Sequence, residues 1–213
     1  METSQKIHGA IIAGGAGRRM SIGDKPLLRL GDRSLIEHVI RLAAPQVDSL
    51  VIVANQQAER FAHLGLPVMA DRLAAGHGPL AGIHRALMWL HDKPESGGHL
   101  ACFPADVPWF PRDLVSHLAQ ALRNARADVA WCVSDGQVQP LFSLWSTRLL
   151  PEIGDALGRD INGPMPFFHT LGRRAIAVET ARSQPADFLN INTPGDLAAA
   201  LQHVEPAHQS GQV

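Results

Sequence analysis

Short apolar segments alternate with amphipathic ones along the 213 residues, and this alternation constrains the fold more than any other feature. The segments 8–13, 50–54, 67–70, 100–103, 128–133, 138–145 and 174–178 are mostly apolar throughout, the pattern of strands covered on both faces. Helical patterns lie between them. Ser34 and Glu37 have capping-box spacing ahead of Val39, Ile40 and Leu42, and further helices are expected over 79–90, 111–123 and 147–157. A last helix starts at Thr193, with Pro194 at its first position. Such alternation predicts a three-layer, Rossmann-like α/β domain with a mostly parallel mixed sheet, whose ligands gather beyond the carboxyl ends of the strands. One domain is expected over 1–204, and the polar stretch 205–213 reads as a disordered tail.

Charge narrows the ligand. With 19 basic and 20 acidic side chains the net charge is -1, too balanced for a nucleic-acid binder, so any affinity for phosphate must be local. The N-terminus lacks a charged and apolar leader, and no apolar run reaches the roughly 18 residues of a membrane span. A soluble, cytoplasmic protein is expected. Cys102 and Cys132 lie in apolar runs without metal-like spacing and read as reduced core residues. His77, His84 and His91 recur every seven residues, which solvent exposure explains as well as shared ligation does.

A local phosphate site is offered by IIAGGAGRRMSIGDK, residues 11–25, directly after the first strand. Glycines let a backbone present its N–H groups to a ligand at close range, and Arg and Lys supply donors and charge suited to phosphate. Neither common motif is present: Met20 occupies the third glycine position of GxGxxG, and no GxxxxGK[ST] exists. A flexible surface turn with solvated arginines is the alternative reading. The second stretch is PADVPWFP, residues 104–111, where flanking prolines hold Asp106 just past a buried strand end. A carboxylate there suits Mg²⁺, which prefers oxygen ligands and needs only one or two carboxylates beside substrate phosphates. Alternatively Asp106 caps a turn.

Together with GPLAGI at 78–83, QPLFSLW at 139–145 and FLNINTPGDL at 188–197, these segments resemble the molybdenum cofactor guanylyltransferase family of the sugar-activating nucleotidyltransferase superfamily, over nearly the whole chain. The resemblance implies the nucleotidyltransferase fold and transfer of GMP from GTP to the terminal phosphate of molybdenum-molybdopterin. It implies Mg²⁺ held by Asp106, and Arg19, Lys25 and Asp106 acting in catalysis. The nucleotide would lie against Ile12, Ala13, Gly14 and Gly15, with Lys25 and Asp106 on its phosphates. Val53, Asn55, Asp71 and Gly82 would complete its site, Gly78 and Gly82 allowing close approach. Asn190 and Asn192 would line the acceptor side. Molybdenum-insertion proteins and cofactor-accepting molybdoenzymes or their chaperones are the implied partners, and a monomer the implied state. Transfer from CTP or to a sugar phosphate is the nearer alternative, against which Gly15 speaks; a non-enzymatic nucleotide-binding adaptor is the more distant one, against which Lys25 and Asp106 speak.

Overall fold

The computed structural model describes residues 6–14, 25–54, 58–70, 78–92 and 98–204. In chain order its elements are β1 (Ile7–Ile12), β2 (Arg29–Leu30), β3 (Arg33–Ser34), α1 (Leu35–Ala43), β4 (Ser49–Ala54), β5 (Val68–Ala70), α2 (Gly78–His91) and β6 (His99–Pro104). There follow α3 (Leu114–Ala125), β7 (Val129–Ser134), β8 (Gln137–Ser146), α4 (Leu150–Leu157), α5 (Pro164–Leu171), β9 (Ala175–Glu179) and α6 (Pro194–Leu201). Seven strands form one sheet in the order β5-β4-β1-β6-β8-β7-β9, and β2 pairs with β3 in a separate hairpin. Only β8 runs against its sheet neighbours, so the other six strands point their carboxyl ends to one rim. The reversal is local chemistry: Asp135 and Gly136, both at positive φ, make the tight turn that joins β7 to β8.

Period two along the strands divides the core. Ile11, Leu50, Ile52, Ala101 and Phe103 face one layer, whereas Ala10, Ile12, Val51, Val53, Leu100 and Cys102 face the other. Apolar positions of α1 and α3 cover the first side, and those of α2, α4 and α5 the second. This is the expected three-layer α/β arrangement around a mostly parallel mixed sheet. Cys102 and Cys132 are free, buried and on opposite faces, so they cannot pair; burial raises both thiols, Cys132 to about 11. His84 is half-buried and His91 exposed on α2. Among the described residues, no helix is long and apolar enough to cross a membrane.

Helix starts agree with the capping signals. The Glu37 carboxylate accepts from the Ser34 backbone N–H at 2.7 Å and from its hydroxyl at 2.6 Å. Elsewhere the boundaries shift: the helix expected from 111 begins at Leu114, and that expected from 147 opens as a 3₁₀ turn before Leu150. The α5 helix is an addition to the expected elements. Its sequence PMPFFHTL carries two prolines and little polar face, so neither propensity nor periodicity marks it, and burial of Phe167 and Phe168 makes it a helix instead.

Candidate active site

Three separate segments meet at the Lys25 ammonium. Its Nζ donates to Asp106 Oδ2 at 2.5 Å, to Asn192 Oδ1 at 2.6 Å and to Asn190 Oδ1 at 3.4 Å. Lysine has three donors, and all three are directed at oxygen. The Lys25 and Asp106 side chains retain 14% and 27% of their exposure, enough for a substrate to reach them.

Each segment is held in place by backbone bonds. The pairing of β1 with both its neighbours continues at the rim, Ala105 N after β6 donating to the Ile12 carbonyl and Ala13 N to the Val53 carbonyl of β4. This puts Asp106 on the rim beside Ile12, Ala13 and Gly14, where the β1 strand lies between β4 and β6. Lys25 opens a 3₁₀ turn, Lys25–Leu27, closed by Leu28 N on its carbonyl. Segment 188–192 is bolted to the Asp106 turn by Phe188 N on Trp109 O at 2.9 Å and Ile191 N on Asp106 O at 3.2 Å. Phe188 accepts a left-handed φ of 65° to do so, and its buried ring packs edge-on to Phe142. After it, Asp196 takes the N–H groups of Asn192 and Thr193 at 2.8 Å each, which orients Asn192 at the start of α6. The Asn192 backbone bond is the main reason its carboxyl sits below the usual range.

Lys25, Asp106, Asn190 and Asn192 are thus brought into one hydrogen-bonded cluster, although the lysine is separated from them by 81, 165 and 167 residues. Val53 and Gly82 sit together: a Cβ on Gly82 would lie 3.4 Å from Ile12 and 3.7 Å from Val53, so this glycine also serves the packing of α2 on β1 and β4. Gly78 has a tighter constraint, for a Cβ there would meet the Asn162 carbonyl at 2.4 Å, the same oxygen that accepts from Leu80 N. Asn162 has no signature in the sequence that ties it to this helix start. Gly15, Arg19, Asn55 and Asp71 lie outside the described residues, as does His77. No group of three or more His, Cys, Asp or Glu side chains able to hold a metal occurs among the described residues; the oxygens gathered at Lys25 come from one carboxylate and two amides.

A mostly parallel sheet with a lysine–carboxylate pair on its carboxyl rim, the carboxylate just past β6, has its candidate site where open α/β sheets bind their ligands. Residues 9–178 match the MobA-like NTP transferase domain family, and the chain belongs to it. A molybdenum cofactor guanylyltransferase of Rhodopseudomonas palustris is 40% identical over 191 residues, covering 89% of this chain and 90% of that one. Among solved structures, molybdopterin-guanine dinucleotide biosynthesis protein A from Archaeoglobus fulgidus superposes with a TM-score of 0.72 at 26% identity, over 92% of this chain and 97% of that one. The Mycobacterium tuberculosis protein Rv0371C, solved in complex with manganese, shares the fold with a TM-score of 0.64 at 17% identity, over 94% and 100% of the two chains.

Proposed function

We propose that this protein transfers GMP from GTP to the terminal phosphate of molybdenum-bound molybdopterin, releasing pyrophosphate. A pterin phosphate oxygen attacks the α-phosphorus of GTP as the bond to the β-phosphate oxygen breaks. The nucleophile is already an anion, so the protein needs no base, and catalysis reduces to positioning and neutralising charge. The observation that carries the reading is the convergence of Asp106, Asn190 and Asn192 on Lys25. The ammonium lies among these oxygens, within the site where it would neutralise the triphosphate of GTP. Arg19, with the backbone of Gly14 and Gly15, assists from the loop, while Ile12, Ala13, Val53, Asn55, Asp71 and Gly82 take the nucleoside. Asn190 and Asn192 then face the acceptor.

The oxygens that cradle the lysine also suit a hard divalent cation, and a fold relative binds manganese. Asp106 would hold Mg²⁺, with Asn190 and Asn192 beside it, and the ion would draw charge from the phosphates. Molybdenum-insertion proteins supply the pterin, and molybdoenzymes or their chaperones receive the product. The enzyme acts as a cytoplasmic monomer of one domain over 1–204. Labelled GTP, CTP and ATP, each offered with molybdopterin and Mg²⁺, test the assignment. GTP alone should yield a labelled dinucleotide, and equal use of CTP would overturn the guanine assignment.

A further inference from the structure

The loop between α4 and α5 reaches across to the first turn of α2. Leu80 N donates to the Asn162 carbonyl at 3.2 Å, and Pro79 before it has no N–H. A carbonyl from a distant loop thus satisfies a donor that a helix start leaves without an internal partner. The approach is close, for a Cβ on Gly78 would meet that oxygen at 2.4 Å. The start of α2 is therefore fixed from outside, by backbone against backbone.

The loop is braced on its own account. Asp160 takes a left-handed φ of 60°, Ile161 N donates back to the Ala156 carbonyl at 3.0 Å, and the Ile161 side chain packs on the core layer that includes Leu80 and Ile83. Asn162 Nδ2 then donates to the Asp160 carbonyl at 3.1 Å, which ties the loop across its bend and aims the Asn162 carbonyl at Leu80. Asn162 Oδ1 is enclosed and meets no donor among the described residues, so this side chain acts through the loop and not on a ligand. A second close approach holds the same elements together: a Cβ on Gly154 of α4 would lie 3.4 Å from His84 Nε2 on α2. Two residues beyond Leu80 is Gly82, where a Cβ would stand 3.4 Å from Ile12 and 3.7 Å from Val53. A helix so near its strands has little slack, and a close-packed interior passes a shift of the first turn on to Gly82.

We propose that Asn162 is a positioning residue for nucleotide binding. Through the Leu80 bond it sets how far α2 stands off β1 and β4, and with it the wall of Ile12, Val53 and Gly82; this rests on the assignment of that wall to the nucleoside. Asn162→Ala keeps the backbone carbonyl and frees the loop. In the full-length protein with Mg²⁺, the variant should bind GTP at least about fivefold more weakly in equilibrium titration, with kcat and the KM for molybdopterin within about twofold of normal. Phe168→Leu, which trims a buried ring of α5 stacked on Trp131, should lower the melting temperature and leave GTP affinity unchanged. Amide exchange at Leu80 without nucleotide reads the contact alone, and should quicken in N162A but not in F168L. Unchanged exchange at Leu80, unchanged GTP affinity, or equal weakening of GTP in both variants would overturn the role of Asn162. A loss confined to kcat or to the acceptor would do the same. Quickened exchange in N162A, with no GTP bound even by the unmodified protein, would leave the Asn162 contact standing and overturn the assignment of the wall to the nucleoside.

Discussion

At the scale of single residues, Lys25 and Asp106 differ in what their loss removes. Asp106→Asn keeps the side chain's size and one acceptor while removing its charge, so the fold should persist, with transfer slowed and more Mg²⁺ required; near-normal rate and metal dependence would refute the metal role. Lys25→Ala removes a cation that neutralises the triphosphate before and during reaction. Both GTP affinity and rate should fall, by roughly 2–4 kcal/mol in the transition state if donor deletions elsewhere are a guide. Since the two side chains are in direct contact, the double variant should lose less than the sum, a non-additivity that steady-state kinetics on the four proteins measures. Asn190 and Asn192 belong to the other substrate in this scheme. Replacing both with Ala should raise KM for molybdopterin and lower turnover while the thermal shift with GTP stays close to normal; lost GTP affinity with normal acceptor use would reverse their placement.

At the scale of elements, the beginning of α1 links pH to stability. The Ser34 hydroxyl and backbone N–H both donate to Glu37, and these bonds, the hydroxyl first, hold its carboxyl below the usual range. A depressed carboxyl contributes stability that is complete above its unfolded value, about 4.3, and is lost as pH falls through the folded one. Ser34→Ala should therefore cost about 1 kcal/mol near neutrality, as for other cap residues. In denaturant titrations that difference should shrink below about pH 4; a constant difference across pH would show that the hydroxyl acts without the carboxylate. A second element-scale device is the aromatic block under the rim. Phe142 packs against Phe110 at 5.0 Å and Phe188 at 5.2 Å, beneath the segment that carries both asparagines. Phe142→Ala should cost about 3–5 kcal/mol of stability, and the surviving folded protein should use molybdopterin less well because Phe188 loses its support. Unfolding curves together with acceptor KM separate the two effects.

For the whole molecule, what was legible in the sequence followed from period and punctuation. Strands covered on both faces read as apolar runs, and the positions of β1, β4, β6 and β7 came within about two residues of their observed bounds for that reason. Capping residues marked α1 and α6, while α5 and the β2–β3 hairpin escaped because one is a proline-bearing apolar helix held by its surroundings and the other has only two residues per strand. The site divides in the same way. Asp106 past a strand end was visible as a local pattern, whereas Asn190 and Asn192 were singled out by the family resemblance. Only the resemblance put Lys25 and Asp106 on the same phosphates; their direct bond and those to the asparagines depend on β1 lying beside β6 and on segment 188–192 folding back over the Asp106 turn, and contacts across 81 to 167 residues leave no periodic trace. A groove lined by Trp109 and Arg112 is likewise assembled from four distant segments. The sequence by itself determined the alternation of elements, the two-sided core and the rim on which ligands gather, because backbone geometry and burial act over a few neighbouring residues. Only the tertiary structure decided the strand order and which side chains share a hydrogen bond, because packing whole elements against one another selects those contacts.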